Sequence, residues 1–417
     1  MKTASLRAVA LLAAVSLALA ACSSGTADSP SGGGSAGGAG GAGGEPVILG
    51  SSLSMTGPLG QFGVALKAGY EQLVSDVNAA GGLDVGGTKR QVQLKVLDNR
   101  SDPNTTTQQV RELVLQDSAV AVLGACTPPV VIPGALAAEQ QKVPFVTSCN
   151  PVNAFQAGNP AGWKYSWDLF FSENEQAKHA MESLSQTQSS KKLALFTDNE
   201  PDGVAERPLY KAAAEAAGLT VVGDYTFPVG TTDYSSFIND AKAKGADLVA
   251  AQMIPPDGIA LWKQMKAGAF SPKAAFVAKA ATGASWGQAL GPVAQGTLTE
   301  AWWSPSVGKA NSKHLGDTLG QTFAGNFSDL NISVLGYTTA NITTDAISAA
   351  GSTEADKVNA ALAKTDKDYP NGRIKFDDKH TAVLPFLLLM QWQGGKVAQV
   401  NPAVQGITFE VPVKGLG

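Results

Sequence analysis

The side chains that most often do chemistry in proteins are few in this sequence and widely spaced. The three histidines, His179, His314 and His380, lie far apart, and none has the spacing of a metal-binding motif. The sequence contains no His-Glu-x-x-His, Cys-x-x-Cys, Gly-x-Ser-x-Gly or phosphate-loop motif. We therefore expect no catalytic residues, no metal and no cofactor. Serine and aspartate are plentiful, so a hydrolytic site assembled from distant segments stays open as an alternative.

Cys22 is the first of three cysteines, and its position predicts a covalent modification. It follows a Leu-Ala-Ala triplet at the end of an apolar stretch that Lys2 and Arg7 precede, which is the pattern of a signal peptide over residues 1–21. The stretch is too short to span a bilayer comfortably. The triplet and cysteine resemble the lipobox of bacterial lipoproteins, which implies that a lipid on Cys22 anchors the protein outside the cytoplasm, at the bacterial cell membrane. The alternative is an ordinary signal peptide.

The segment after this cysteine predicts a tether. Residues 23–44 are mostly Gly, Ser and Ala and include no large apolar side chain. Such a segment cannot bury enough surface to fold, and as a flexible coil it would span roughly 25 Å. We therefore predict that residues 22–45 form a lipidated cysteine and its flexible tether.

Cys126 and Cys149 are the remaining cysteines, and we predict that they form a disulfide. Exported proteins keep disulfides, and an even pair is the expected number. Closing a loop of about two dozen residues would stabilise the fold by roughly 3 kcal/mol in the chain-entropy model. Two buried free thiols are the alternative.

Charge and hydropathy exclude several classes of protein. Removal of the signal peptide takes Lys2 and Arg7 from the 31 basic residues and leaves the 35 acidic ones, a formal net charge of −6. A mildly acidic chain without a Lys/Arg cluster argues against binding to nucleic acid or to a membrane through a basic face. The apolar segment 381–390 is interrupted by Pro385 and predicts a buried strand. About 370 residues follow the tether, enough for two lobes with proper cores.

Apolar periodicity predicts strands that alternate with helices. Strands are expected near residues 47–50, 92–96, 120–123, 145–147, 193–196, 220–222, 248–252 and 275–277. Helical stripes lie between them, as over residues 66–77. Two such series, separated by a loop-rich stretch near 150–190, predict two α/β lobes with parallel sheets.

Ligands of open α/β sheets bind beyond the carboxyl ends of the strands. The segments at these ends are rich in Ser, Thr, Asn, Gly and Pro, as ligand-binding loops often are. They are residues 51–63, 124–129, 147–153, 198–205, 252–258 and 277–283.

Several segments, taken in order, resemble the leucine/isoleucine/valine-binding proteins of ABC importers, which are type I periplasmic binding proteins. The opening loop reads Thr-Gly-Pro-Leu-Gly-Gln-Phe-Gly over residues 56–63, and Ala-Ala-Gly-Gly-Leu follows at 79–83. The other matching segments are residues 97–103, 122–127, 232–237 and 374–377. Together they extend the resemblance over roughly residues 46–400.

The resemblance implies two Rossmann-like lobes joined by three hinge crossings, with the ligand enclosed between them. Residues 46–167 and 304–383 would form the N-terminal lobe, and residues 168–303 and 384–417 the C-terminal lobe. The crossings would fall near Tyr165–Leu169, Glu300–Ser304 and Thr381–Phe386. Binding would then close the cleft by a hinge movement that the permease could recognise.

The resemblance also implies ligand-binding residues in the first lobe. Phe62 matches an aromatic lid, Thr127 matches a hydroxyl that binds the ligand carboxylate, and Asn150 matches a residue at the same end of the ligand. Both polar residues follow predicted strands, so backbone N–H groups could assist them. Ordinary packing for Phe62, and helix capping for the other two, are the alternatives.

The second lobe departs from the pattern of the family. Relatives that bind amino acids place aromatic residues where Asp202 and Ile254 fall here. They also place a carboxylate against the ligand ammonium, where this sequence has Lys279, and no acid occurs between Gly258 and Thr299. A solvated loop lysine is the alternative for Lys279, and Asp202 could replace the missing acid.

The sequence therefore predicts the solute-binding lipoprotein of an ABC importer, working as a monomer with a small carboxylate-containing ligand. Phe62, with Trp302 or Trp303 near the second crossing, would offer an apolar or aromatic surface. A small organic acid thus ranks ahead of a branched-chain amino acid or amide. A ligand sensor with the same fold and a surface enzyme stay open as alternatives.

Overall fold

The computed structural model describes residues 43–306, 308–323, 326–385, 387–402 and 413–417. The predicted signal peptide, Cys22 and most of the predicted tether lie outside these residues, as does Phe386 in the third predicted crossing. No helix in the described part of the chain combines the length and apolar character that crossing a bilayer requires.

Strands and helices alternate along the described chain. The strands are β1 (Val47–Leu53), β2 (Leu83–Val85), β3 (Thr88–Arg90), β4 (Val92–Asp98), β5 (Ala121–Leu123), β6 (Phe145–Thr147), β7 (Ser166–Phe170), β8 (Lys192–Asp198), β9 (Thr220–Phe227), β10 (Leu248–Met253), β11 (Ala274–Lys279), β12 (Leu298–Ala301), β13 (Asp366–Tyr369), β14 (Gly372–Lys375), β15 (Thr381–Val383), β16 (Leu388–Gln393) and β17 (Lys396–Asn401). The helices are α1 (Gly60–Ala79), α2 (Pro103–Leu115), α3 (Pro128–Gln141), α4 (Val152–Gly158), α5 (Glu173–Ser185), α6 (Pro201–Ala216), α7 (Ser235–Ala243), α8 (Pro255–Ala267), α9 (Ala284–Leu290), α10 (Ser312–Thr322), α11 (Phe327–Ala350) and α12 (Ala355–Leu362).

The first sheet contains parallel strands in the order β15–β7–β6–β5–β1–β4. Helix α1 packs with α11, α2 packs with α3, and both pairs contact the sheet. Its central strands are short apolar runs, such as Ala121–Leu123, because helices cover both faces of a parallel sheet.

The second sheet has the order β17–β16–β12–β11–β10–β8–β9. The strands from β12 to β9 are parallel, whereas β16 and β17 are antiparallel additions at one edge. Side chains alternate between the two faces. Leu195 packs into the core cluster that contains Met181 of α5, and Phe196 packs into the cluster that contains Trp262 of α8. This antiparallel edge, like the antiparallel hairpins β2–β3 and β13–β14, departs from the parallel sheets that the sequence predicts.

The chain passes between the two sheets three times, after β7, after β12 and after β15. The two α/β lobes and the three crossings predicted from the sequence are thus present. The lobe boundaries stay a proposal, and β7 pairs within the first sheet up to Phe170, beyond the boundary expected at residue 167.

The prediction of one buried strand over residues 381–390 is wrong. Thr381–Val383 pairs with β7 in the first sheet, and Leu388–Gln393 pairs with β12 in the second sheet. Pro385 lies between them, and its missing N–H disfavours a continuous ladder at this position. The apolar run therefore contains two strands and the third crossing.

Two glycines allow α1 and α11 to approach closely. A side chain on Gly69 would overlap the backbone carbonyl of Ser333, and one on Gly336 would lie 2.5 Å from the carbonyl oxygen of Leu66. The contact holds α1 against α11, and the first turn of α1 carries Phe62, which is buried.

Candidate ligand-binding site

A cavity lies between the two lobes, at the carboxyl ends of strands from both sheets. About 400 Å³ unoccupied by protein atoms lies among its walls, a volume that includes space open to solvent. The lining residues are Phe62, Cys126, Thr127, Cys149, Pro151, Phe170, Phe171, Gln176, Asp202, Gln252, Lys279, Thr282, Glu300, Trp302 and Ile332. Four of the six predicted ligand-binding residues, Phe62, Thr127, Asp202 and Lys279, are therefore in this wall.

Aromatic rings form one part of the wall. The Trp302 ring lies 4.5 Å from the Phe170 ring and 5.6 Å from the Phe171 ring between centroids, the latter nearly parallel. Phe62 of α1 adds a further ring and is buried. The cavity thus offers an apolar, largely aromatic surface, contributed by the first and second crossings together with α1.

Thr127 lines the cavity and has an uncommitted hydroxyl. It precedes α3 with a φ of 77°, an uncommon conformation for a β-branched residue. Its Oγ1 is buried, makes no capping bond and has no partner among the described residues. Helix capping is therefore not the role of this side chain, and positive φ at a cavity residue is typical of functional sites.

The backbone gives Thr127 less help than the sequence predicts. Its own N–H donates to the carbonyl of Cys149 at 2.9 Å. The next two residues, Pro128 and Pro129, have no N–H to offer a ligand. Side-chain donors would therefore have to bind an anionic ligand at this end.

Cys126 and Cys149 are joined by a disulfide, with their Cα atoms 4.6 Å apart. They follow β5 and β6, which are neighbours in the first sheet. Both line the cavity, so the bond ties together the two loops that carry Thr127 and Asn150.

Asn150 lies next to the cavity wall but outside it. Its side chain is fully buried, and its Nδ2 donates to the carbonyl of Pro151 at 3.0 Å. Its Oδ1 has no partner in the described part of the chain. Pro151, which the sequence did not single out, lines the cavity instead.

Lys279 is a buried, ion-paired residue and not a solvated loop lysine. It ends β11 with a φ of 54° and is 8% exposed. Its Nζ bonds Glu200 and also lies 3.0 Å from Oδ2 of Asp202. Burial alone would lower the pKa of Lys279, but Asp202, Glu200 and Asp198 outweigh this effect and raise it. The ammonium is therefore charged and largely neutralised by acids of its own lobe.

Asp198, Glu200 and Asp202 form an acidic cluster whose oxygens lie within 4.8 Å of one another. Lys279 supplies the cation beside them. Burial raises the pKa of Asp198 to about 7, with Lys279 opposing the shift and Asp202 reinforcing it. The structure thus brings Lys279 together with Asp202, the residue that the sequence analysis suggested could replace the missing acid.

Glu300 and Gln252 line the cavity beside this cluster, and the sequence did not single them out. Gln252 donates from Nε2 to Oδ2 of Asp202 at 3.0 Å, and Glu300 accepts from Nε2 of Gln176 at 2.8 Å. Gln252 Oε1 and Glu300 Oε2 are buried without a partner within the described ranges. Gln252 begins the segment 252–258 that was selected by its place at a strand end, and Glu300 begins the second predicted crossing, but neither was named as a ligand-binding residue.

Ile254 and Trp303 lie in the core and not in the cavity wall. Ile254 is 2% exposed and packs with the core cluster of the first lobe, while its N–H donates to Asp198. Trp303 is fully buried and donates from Nε1 to Oγ of Ser312 at 3.1 Å. Trp302, its neighbour, is the tryptophan in the cavity, where its Nε1 finds no acceptor among the residues described.

The sequence of this two-lobed protein matches a known protein family. Residues 46–396 match the model of a family described as periplasmic binding proteins. This chain belongs to that family. Among curated relatives of this periplasmic binding protein, the Leu/Ile/Val-binding protein homolog 7 of Brucella abortus is 24% identical over 392 residues, covering 86% of this chain and 92% of the relative. The type I, Leu/Ile/Val-binding resemblance predicted from the sequence is confirmed.

Solved structures have the same fold. A leucine-binding protein of Thermotoga maritima superposes with a TM-score of 0.75 at 20% identity, covering 85% of this chain and 97% of its own. A branched-chain amino acid transporter substrate-binding protein of Streptococcus pneumoniae, in complex with isoleucine, has a TM-score of 0.73 at 22% identity, with coverages of 85% and 99%. An R. palustris solute-binding protein in complex with benzoate has a TM-score of 0.72 at 18% identity, with coverages of 85% and 95%.

Proposed function

We propose that this chain is the solute-binding lipoprotein of an ABC importer and that it captures a small organic acid or an amino-acid-like ligand. The observation that supports this function is the cavity, to which both lobes contribute polar and aromatic side chains. A ligand there would hold the lobes together, and the permease could recognise the closed form. The protein would bind this ligand as a monomer without transforming it, anchored by the lipid on Cys22.

Two unpartnered donors support a ligand with an acceptor oxygen. The hydroxyl of Thr127 and the indole N–H of Trp302 line the same cavity, and both lack partners among the described residues. A buried donor that makes no hydrogen bond costs roughly 1–3 kcal/mol. A carboxylate or carbonyl oxygen on the ligand would remove this cost.

The acids near the cavity favour an organic acid over a zwitterion. Asp202 accepts from Lys279 and Gln252 through Oδ2 and from the N–H of Gly203 through Oδ1, so its oxygens are already engaged. An α-ammonium would therefore depend on Oε1 of Gln252 and Oε2 of Glu300, which both belong to residues of the cavity wall. Amino acids stay the alternative because these two oxygens have no partner among the described residues and because the S. pneumoniae neighbour binds isoleucine.

A thermal-shift screen of the purified protein tests this proposal. The panel contains benzoate, 4-hydroxybenzoate, short aliphatic acids, leucine, isoleucine and aliphatic amides. At a hundredfold excess over Kd, a ligand should stabilise the protein by about 2.7 kcal/mol. We expect a carboxylate to give this stabilisation. Thr127→Val should raise the Kd of the protein for that carboxylate at least tenfold.

Thr88→Val is the matched control because Thr88 is exposed in the β2–β3 hairpin. Stabilisation by leucine or isoleucine, with none by any organic acid, would show that amino acids and not organic acids are the preferred ligands. No stabilisation by any carboxylate, amino acid or amide would contradict the proposed function.

A further inference from the structure

Glu300 is held in the cavity wall with one carboxyl oxygen committed and one uncommitted. Its side chain is 3% exposed at the end of β12. Oε1 accepts from Nε2 of Gln176 at 2.8 Å, and Oε1 of Gln176 accepts from the hydroxyl of Tyr210 at 3.0 Å. The hydroxyl of Tyr210 therefore orients the amide of Gln176 so that Nε2 faces Glu300. Oε2 of Glu300 is left without a protein partner in the described part of the chain.

The ionisable groups around Glu300 are predominantly acidic. Glu206 and Tyr210 of α6 interact electrostatically with Glu300, and Asp202 of α6 and Lys279 of β11 share its cavity wall. Lys279 is the cation among them, and it already bonds Glu200 and Asp202. An ionised Glu300 would thus place a buried negative charge next to Glu206, whose own oxygens have no partner within the described residues and whose pKa burial already raises well above its ordinary value.

These contacts favour the neutral carboxyl. Burial raises the pKa of Glu300 to about 8, although the hydrogen bond from Gln176 and the backbone N–H of Lys279 both act in the opposite direction. Because Oε1 is an acceptor, the proton belongs on Oε2. A carboxylic acid kept neutral in this way becomes a hydrogen-bond donor, which a carboxylate cannot be.

We propose that Glu300 donates a hydrogen bond from its protonated carboxyl to an acceptor oxygen of the bound solute, so that capture of an anion depends on this proton. The inference rests on the proposed function and identifies a residue that selects the ligand. With Thr127 and Trp302, the cavity then presents three neutral donors. With an ionised Glu300 it would instead repel a carboxylate and attract an ammonium.

The proposal predicts how affinity changes with pH. Glu300 should add no pH dependence to the Kd for benzoate between pH 6 and 7, whereas above pH 8, where the free protein loses the proton of Glu300, the Kd should rise by up to about tenfold per pH unit. Glu300→Gln keeps a neutral hydrogen-bond donor at this position but removes the group that titrates. Its Kd at pH 7 should therefore lie within about threefold of wild type and stay flat to pH 9.5.

The experiment combines two measurements on wild type, Glu300→Gln and Glu182→Gln, an exposed glutamate of α5 that serves as the control. Carbon-13 NMR of glutamate-labelled, ligand-free protein should show a protonated carboxyl at pH 7 that titrates near pH 8 and is missing only in Glu300→Gln. Calorimetry with benzoate at pH 8.5, in buffers of different ionisation enthalpy, should show proton uptake in wild type and in the control but not in Glu300→Gln. Leucine is the comparison ligand in each case.

A Glu300 carboxyl that is ionised at pH 7 would overturn the inference, whether or not a compound binds. Affinity for leucine that rises above pH 8 and is lost in Glu300→Gln would also overturn it, because Glu300 would then be the acceptor of an ammonium. Failure of benzoate, leucine and every compound of the screen to bind would contradict the proposed function instead.

Discussion

Lys279 is held between Glu200 and Asp202, and its removal would leave both carboxylates buried without a cation. Breaking a buried ion pair in this way costs roughly 3–5 kcal/mol. We expect Lys279→Met to lower the free energy of unfolding by about that amount, measured by urea denaturation at pH 7. Lys273→Met is the control because Lys273 is exposed and its ion pair with Asp247 is 3.7 Å long, so it should cost less than about 1 kcal/mol. Equal effects of the two substitutions would show that the buried network contributes little.

The partners of Lys279 also show which part of the site the sequence could not predict. Glu200 and Asp202 lie 79 and 77 positions away, so no local pattern connects them with the lysine. Glu300 likewise meets Gln176 from a distance of 124 positions. Strand ends can be recognised in a sequence, but which of them face one cavity depends on the order of strands in the sheet. Phe62 and Thr127 were predictable because they belong to segments that resemble the family.

Helices and strands are the scale at which the sequence was most informative. Apolar periodicity located four strands of each sheet, β1 and β4–β6 in the first and β8–β11 in the second, because a strand covered on both faces is a short apolar run. It missed β7 and β12, and the stretch near 150–190 that was predicted to be loop-rich contains α4, β7 and α5. It did not predict the antiparallel direction of β16 and β17 or the β13–β14 hairpin. The direction of pairing depends on how the chain returns from a distant crossing, and periodicity contains no information about that path.

The close packing of α1 on α11 gives a prediction for these elements. Gly69→Ala would place a methyl group against the backbone of α11, so we expect a loss of about 1–3 kcal/mol through overpacking. Gly320→Ala, in α10, is the matched control because its added methyl group meets no atom within 4 Å. That substitution should be neutral or stabilising by up to about 1 kcal/mol, since alanine favours helix. Thermal denaturation of the two variants measures the difference, and a neutral Gly69→Ala would refute the close contact.

The loops after β5 and β6 give a second prediction at this scale. The disulfide spans 23 positions, and in the chain-entropy model a bridge of this length contributes about 3 kcal/mol. We expect the double variant Cys126→Ala/Cys149→Ala to lose that stability and to become insensitive to reductant. Peptide mass mapping of the exported protein without reductant should recover the linked peptide. Two free thiols in the exported protein would contradict this prediction.

At the scale of the whole molecule, the predicted anchor determines where the protein works. Cys22→Ala removes the acylated residue, so the protein should either appear in the soluble extracytoplasmic fraction or retain its signal peptide. A single acyl chain anchors only marginally, and we therefore expect more than one on the wild-type cysteine. Fractionation and intact-mass analysis test both points. A variant of mature size that stays wholly in the membrane fraction would rule out lipidation at this residue.

Native mass spectrometry tests most directly whether the cavity between the lobes binds a solute. Wild type, Thr127→Val, Trp302→Ala and the control Thr88→Val are titrated with the carboxylate that stabilises the protein most in the screen. We expect one molecule per chain for wild type and for the control, with the affinity of both cavity variants reduced at least tenfold. Binding at the same affinity in all four proteins would place the solute elsewhere and contradict capture between the lobes.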